Sequence, residues 1–382
     1  MRFEGLGRTD KSQVTSRQNP QLMYGLHFHL CGQERRSHLV SDSVLVDTPG
    51  WGFVNHGSDV RFEGNVVYDF GGAGFVAEAG DERGAFVGNL AVGGRGVGTY
   101  DFRRIYLGQE DRIQAADLAF HGDGFWFASP FVQVRDNASI GNHGNGFVWY
   151  QVGVDARFVE RTVDRSPLSL SISRATLSER ELDRIAYRRP KRSWVSRPDD
   201  FILTDLPIFE PVEGNYAAAN FVGLRLRYAR TFNHSFHKKF WGIGDTTAYL
   251  QGLNEPSDRA TVYVNESLFR DGHLQNNEVG IHTTYATRIR FSNFQVEADE
   301  QLQSSPAEDA DRFTLNETTG IEMNHHSNAG NLLETVTVRG YEVGERLSPN
   351  PGPLRERIEV EYLDCIQDTV EWRVEEIRKH RR

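Results

Sequence analysis

The chain has only two cysteines, Cys31 and Cys365, at opposite ends of the sequence. That scarcity excludes a disulfide framework and a thiolate metal site, and both residues read as buried thiols. No apolar run approaches the ~20 residues needed to cross a membrane, and the opening MRFEGLGRTDKSQ has no apolar signal core. Positive charge is also short: 43 Lys and Arg stand against 53 Asp and Glu, a net charge of −10. A nucleic-acid partner is therefore not expected. A phosphate-cradling glycine loop, a nucleophile elbow and a Cys–His pair are all missing, which removes kinase, nucleotide-binding and esterase chemistry. His234 and His237 lack the Glu and the helix of a metalloprotease motif, so they read as structural. Proline is sparse, 13 residues against 37 glycines, and 24 phenylalanines accompany many Asn, Asp and Ser. This composition suits many short strands joined by tight turns.

What is present is a repeat. Gly25-Leu26-His27-Phe28-His29, Gly52-Phe53-Val54-Asn55-His56 and Gly74-Phe75-Val76-Ala77-Glu78 align without gaps, and Gly124-Phe125-Trp126-Phe127-Ala128 and Gly146-Phe147-Val148-Trp149-Tyr150 continue the pattern. Gly223-Leu224, Gly280-Ile281 and Gly320-Ile321 are degenerate members. Between them lie strand-like segments ending in Asn65, Asn89 and Asn137. A short unit with two or three strands and Asn or Gly corners is a coil of a solenoid, because those residues tolerate the left-handed backbone a corner needs. The expected fold is all-β, a right-handed parallel β-helix. An antiparallel sandwich would not require one pattern to recur at nearly one period.

Alternation along each strand sorts the faces. Leu26, Phe53, Phe75, Phe125, Phe147, Leu224, Ile281 and Ile321 form an always-apolar inward column. Outward fall His27, Val54, Val76, Trp126 and Val148, and two residues further on His29, His56, Glu78, Ala128 and Tyr150. The β-helix is expected over 1–348, with an inserted excursion at about 155–210. That excursion carries a basic stretch from Arg174 to Arg197, and a short helix over Ser178 to Ala186 is capped by Ser178 with Glu181 three residues on. After Pro349-Asn350-Pro351-Gly352-Pro353, residues 349–382 read as a strand and then a helix with Ile366, Val370, Val374 and Ile377 on one side, capping the last coil.

Over about residues 3 to 150 the ordered motifs resemble the β-helix of the family of the cell migration-inducing and hyaluronan-binding protein and the transmembrane cell-surface hyaluronidase. The resemblance is carried by His27-Phe28-His29-Leu30, His56-Gly57, Asn65-Val66-Val67-Tyr68-Asp69, Gly74-Phe75, Glu78-Ala79-Gly80-Asp81-Glu82, Gly88-Asn89-Leu90, Phe125-Trp126 and Gly146-Phe147-Val148-Trp149-Tyr150. It implies a secreted or cell-surface protein whose partner is an extracellular polysaccharide. Two positions depart from the family pattern: Ala79 stands where the family has Asp, and Gly72-Ala73-Gly74 where it has Gly-His-Gly. The chain opens at Leu6-Gly7-Arg8-Thr9-Asp10, which resembles an internal point of the family, so an upstream β-rich domain is expected to be missing from it.

The chemistry expected of the outer face follows from its residue types. His27, His29, His56 and Glu78 on successive rungs suit one divalent metal ion, zinc, manganese or calcium, and no organic cofactor is needed. Hydrolysis of a glycosidic bond needs two carboxylates, and Glu78 with Asp81 or Glu82 supplies them, with Asp69 the runner-up and His27 as a further acid–base group. A uronate lyase would instead use a metal or Arg103 and Arg104 with a base such as His27, His29 or Tyr150. Trp126 and Tyr150 are expected to form an aromatic floor for sugar rings. Cleavage of an acidic or amino-sugar-containing polysaccharide, by hydrolysis before elimination, is the first expectation. A non-catalytic glycan-binding or structural solenoid is the alternative.

Overall fold

The computed structural model describes residues 1–10, 17–20, 22–32, 37–96, 119, 121–150, 154–155, 186–188, 201–203, 208, 210–227, 267–284, 289–299, 317–324, 331–348, 360–363 and 365–368. Among them every regular element is a strand. Twenty-five strands join into one continuous system in which successive coils pair in parallel, and a separate three-stranded antiparallel sheet is made by Val154–Asp155, Ala186–Arg188 and Phe201–Leu203. This is the expected parallel β-helix. No helix among the described residues is long and apolar enough to cross a membrane.

Most coils contribute one strand to a front sheet and two short strands to a back sheet, which merge into single nine-residue strands at Ile289–Glu297 and Asn331–Arg339. The front strands are the glycine-led ones: Leu26–Gly32, the start of Phe53–Glu63, Ala73–Ala77, Asp123–Phe127, Asn145–Tyr150, Val222–Arg227, Val279–Thr284, Thr319–Asn324 and Val343–Ser348. Their register places Leu26, Phe53, Phe75, Phe125, Phe147, Leu224, Ile281 and Ile321 in one row, as the alternation requires. Phe53, Phe75, Phe125 and Phe147 stack with ring centroids 5.0, 4.8 and 4.7 Å apart, and all four are buried. Parallel strands spaced ~4.8 Å apart impose that stacking distance on any aromatic column. Phe62 and Phe86 from the back sheet meet Phe75 edge-on at 6.4 Å, which closes the core between the sheets.

The corners explain the Asn and Gly spacing, with one shift from expectation. The left-handed residue in the bend of the back sheet is the one before the asparagine: Gly64, Gly88 and Asp136 have φ of 65°, 64° and 56°. Asn65, Asn89, Asn137 and Asn215 themselves turn inward and form a ladder. The Asn65 amide N–H donates to Asn89 Oδ1 at 2.9 Å, Asn89 N–H to Asn137 Oδ1 at 2.9 Å, and Asn137 N–H to Asn215 Oδ1 at 3.0 Å. Asn142, Asn220 and Asn277 form a second ladder at the next corner. Buried backbone donors at each bend are thereby satisfied, as a buried turn demands.

Three expectations meet the structure differently. Cys31 is exposed and Cys365 half-buried. Ile366–Asp368 is a strand, paired in parallel with Asn331–Arg339, and not the start of a helix. Of the segment read as a helix from Ser178, Ala186 opens a strand and the rest lies outside the described residues, as do Arg103, Arg104, His234, His237, Val370, Val374 and Ile377.

Candidate functional site

The outward row next to the core column carries the chemistry. Leu26–Gly32 and Phe53–Glu63 run in register with His27 opposite Val54 and His29 opposite His56, and the next rung ends at Ala77, with the Glu78 N–H donating to the Asn55 carbonyl at 3.0 Å. This register brings three side chains together. His56 Nδ1 lies 2.8 Å and His27 Nε2 3.9 Å from Glu78 Oε2, and one ligand atom from each of His27, His56 and Glu78 falls within 4.8 Å of the others. The three side chains are 8%, 17% and 15% exposed, so the centre is recessed yet reachable.

His29 stands outside this group. It is exposed and meets His56 edge-on at 4.6 Å between ring centroids, and the register with the next strand is broken between His29 and Gly32, where Leu30 takes a φ of 52°. The bulge begins only after His29, which still pairs in register with His56.

His27 is oriented from behind. Its Nδ1 lies 2.9 Å from the Leu22 carbonyl oxygen, which can only accept, so Nδ1 carries the proton and Nε2 presents a lone pair. That buried Nε2 has no hydrogen-bond partner and faces the Glu78 carboxylate. Burial lowers the pKa of His27, against the Leu22 hydrogen bond and the Glu78 charge. For His56 burial also acts downward, but close contact with Glu78 and the charges of Glu78, Glu82 and Asp81 prevail and raise it. The His56–Glu78 approach is short, although it is poorly aligned for a hydrogen bond. Tyr24 packs its ring 5.2 Å from His27, and burial followed by the Glu78 charge pushes its hydroxyl well up.

Glu82 is not an accessible catalytic carboxylate. It is fully buried, and its oxygens accept the backbone N–H groups of Gly57, Ala79 and Gly80 at 3.1, 2.5 and 2.8 Å. Burial and the Asp81 charge raise its pKa to about 7, while those three donors act to lower it. It is a clamp that fixes the loop after Glu78. Asp81 is half-buried beside Gly57 and contributes charge to His56. Asp69 is remote: it takes a left-handed φ of 59° at a back-sheet corner and pairs with Arg95 at 2.7 Å.

Trp126 and Tyr150 are not the open floor expected of them, being 4% and 5% exposed. With Tyr24, Trp51, Val54, Val76, Ala119 and Val148 they form an apolar cluster on the outer face. Trp51 and Trp126 stack at 6.4 Å, Trp126 and Tyr150 at 6.1 Å, and Trp51 Nε1 donates to the Ala119 carbonyl at 2.8 Å. Strand alternation could not distinguish an outward side chain left open from one covered by a segment distant in sequence.

The coils bearing this centre fall within the stretch matched by a family model. No curated protein matches the chain. Among solved structures, that of the periplasmic alginate epimerase AlgG is similar at 11% identity and a TM-score of 0.37, covering 96% of this chain and 58% of that one. The chain thus spans little over half the length of that structure. A family model described as CEMIP beta-helix matches residues 17–165. The stretch that holds His27, His56 and Glu78 is therefore similar to the CEMIP beta-helix.

Proposed function

We propose that this protein is a carbohydrate-active β-helix that cleaves an acidic or amino-sugar-containing polysaccharide at a cation centre formed by His27, His56 and Glu78. One observation carries the reading: a buried imidazole lone pair, locked in place by the Leu22 carbonyl, faces a carboxylate oxygen 3.9 Å away. Two acceptors facing each other in a recess favour a cation between them, and fixing the far nitrogen on a carbonyl is how metal-binding histidines are commonly oriented. Two imidazoles and one carboxylate suit zinc or manganese, whereas calcium prefers six to eight oxygens. Such an ion, when bound, would polarise an oxygen of the substrate or activate a water.

The chain's own groups then have distinct tasks. Glu82 holds the loop that carries Glu78, and Asp81, beside the same loop, is the second carboxylate for hydrolysis. The withdrawal of Glu82 into a clamp favours elimination as the second reading, with Tyr24 beside His27 as a proton-handling group. The resemblance to the hyaluronan-binding family supports hyaluronan or a related uronan as substrate. Incubation with hyaluronan, chondroitin and bacterial uronans should lower glycan size, and ultraviolet absorbance of an unsaturated uronate marks lyase rather than hydrolase. Elemental analysis should find about one zinc or manganese per chain, lost in His27→Ala and His56→Ala. Binding without any fall in size would leave only the non-catalytic alternative, and metal-free active protein would remove the cation.

A further inference from the structure

The two rungs that carry His56 and Glu78 are joined by a side chain outside both of their front strands. Backbone pairing between Phe53–Glu63 and Ala73–Ala77 ends at Asn55 opposite Ala77, with the Glu78 N–H on the Asn55 carbonyl. Pairing of Phe53–Glu63 with the same coil resumes at Asp59 opposite Arg83. His56 and Glu78 lie between these two points. There the Glu82 carboxylate takes the place of ladder bonds. A single oxygen, Oε1, accepts the N–H of Gly57 at 3.1 Å and that of Ala79 at 2.5 Å, while Oε2 accepts the N–H of Gly80 at 2.8 Å. Gly57 directly follows His56 and Ala79 directly follows Glu78. One atom therefore ties together the backbone just beyond both side chains.

The tie is itself anchored. Glu82 is fully buried, and its own carbonyl oxygen accepts the Ser129 hydroxyl at 2.8 Å from the following coil. On the His56 side the close approach requires glycine: Gly57 has a φ of 58°, and a Cβ there would sit 2.6 Å from Leu30 Cδ2. Glutamine cannot do the work of Glu82, because its amide has one oxygen and one NH2 group. With the oxygen on Gly57 and Ala79, the NH2 group faces the Gly80 N–H. With the amide turned over, the oxygen serves Gly80 alone. Either way a buried N–H loses its acceptor. Groups that hold metal ligands in place from behind change metal affinity roughly 10- to 100-fold when they are removed.

We infer that Glu82 is a positioning residue that sets the separation of His56 and Glu78, 2.8 Å between Nδ1 and Oε2, and through it the affinity of the centre for a divalent cation. The cation rests on the function proposed above; the control of the separation does not. Glu82 supplies no ligand atom and touches no substrate in this role. A clamp that merely stabilises the corner would lower stability when broken and leave the His56–Glu78 approach as it is. A clamp that positions would change that approach.

The test has a metal-free arm and a zinc arm, both on the full chain at pH 8. In crystals of metal-free Glu82→Gln the distance from His56 Nδ1 to Glu78 Oε2 should exceed ~4 Å, beyond ion-pair range, while metal-free wild type keeps it near 2.8 Å. Zinc affinity by titration calorimetry should fall at least about tenfold in Glu82→Gln. Asn137→Ala, which breaks the back-sheet ladder and lowers stability, is the control and should bind zinc as wild type does. A Glu82→Gln protein that keeps the short approach, or binds zinc as tightly as wild type, overturns the inference, as does an equal loss of zinc affinity in Asn137→Ala. Wild type that binds no zinc, with a widened separation in Glu82→Gln, removes the cation and upholds the positioning role. If Glu82→Gln does not fold, amide exchange in wild type decides: the Gly57 and Ala79 N–H groups share one acceptor and should be released in one common opening, and independent exchange of the two overturns the inference.

Discussion

Replacing Phe75 by Ala probes the logic of the solenoid most directly. Its ring lies between Phe53 at 5.0 Å and Phe125 at 4.8 Å and meets Phe62 and Phe86 edge-on at 6.4 Å. The side chain is fully buried, so truncation forfeits its transfer free energy, up to about 3 kcal/mol. It also removes four ring–ring contacts, whose contribution largely overlaps with that burial. The cavity can collapse little, because the neighbouring rings are held at the rung spacing by the backbone ladders on either side. A total of about 3–5 kcal/mol is expected, the usual range for Phe→Ala in a core. Because a coil is stabilised chiefly by its neighbours, the loss should also appear as earlier unfolding of the adjoining coils. Urea denaturation followed by the fluorescence of Trp126 and Trp149, both buried on adjacent front strands, reads this out locally. Leu39→Ala, at a side chain 59% exposed, is the control and should stay within about 0.5 kcal/mol. A Phe75→Ala protein that loses less than about 1 kcal/mol with an ordinary denaturant slope would show that the column is not what holds the coils together.

Other positions give sharp expectations. A Cβ at Gly74 would sit 2.6 Å from Val67 Cγ1 and 2.8 Å from the Gly124 carbonyl oxygen, so Gly74→Ala should cost about 1–3 kcal/mol by overpacking, seen as a lower melting temperature; an unchanged one would mean the sheets can part there. Asn137→Ala leaves the Asn89 N–H and Nδ2, which now donate to Asn137 Oδ1 at 2.9 and 3.0 Å, without an acceptor, and should destabilise by at least about 1–3 kcal/mol; a neutral effect in thermal melts would refute the ladder's role. Glu322 has its native pKa raised to about 7 from the ordinary 4.5, so its burial costs nothing below pH ~4.5, where both states are protonated. The cost grows as pH rises to about 7 and is constant above, reaching about 3 kcal/mol for a shift of that size. Glu322→Gln should therefore gain stability relative to wild type from pH 5 to 7.5, and parallel stability curves would show that the carboxyl is not strained by burial.

The inward column was legible from sequence because one apolar residue after a glycine recurs, and strand alternation converts that recurrence into a face. The late members remained legible at Leu224, Ile281 and Ile321 even though long segments separate them. The proposed cation centre was legible in part. His27, His56 and Glu78 do meet, but His29, grouped with them because it lies two residues along the same strand, is exposed beside His56 and outside the group. Glu82 was misjudged because a carboxylate buried by backbone donors cannot be told from an exposed one when the loop after a strand has no period. The front-sheet row Arg225, His282, Glu322 and Arg346 was overlooked although part of the signal was available: the first three directly follow Leu224, Ile281 and Ile321 of the core column, whereas Arg346 follows Glu345. The sequence pattern for those coils was followed only through its apolar position.

The back-sheet bend has a consequence for how such a chain can change over time. From Gly64-Asn65 and Gly88-Asn89 to Asp136-Asn137 and Gly214-Asn215, the bend is always two residues long, and each asparagine is hydrogen-bonded to the one above. The stretches joining the front strands to the back sheet have no such rule: Tyr150 and Val212 are separated by a long segment, yet Phe147 and Leu224 are register neighbours. The asparagine side therefore works like the spine of a binder, keeping pages aligned while their free edges vary in length. Insertions are tolerated at the front edges, beside the ionisable rows, so new recognition segments can be grafted there without re-indexing the coils beneath.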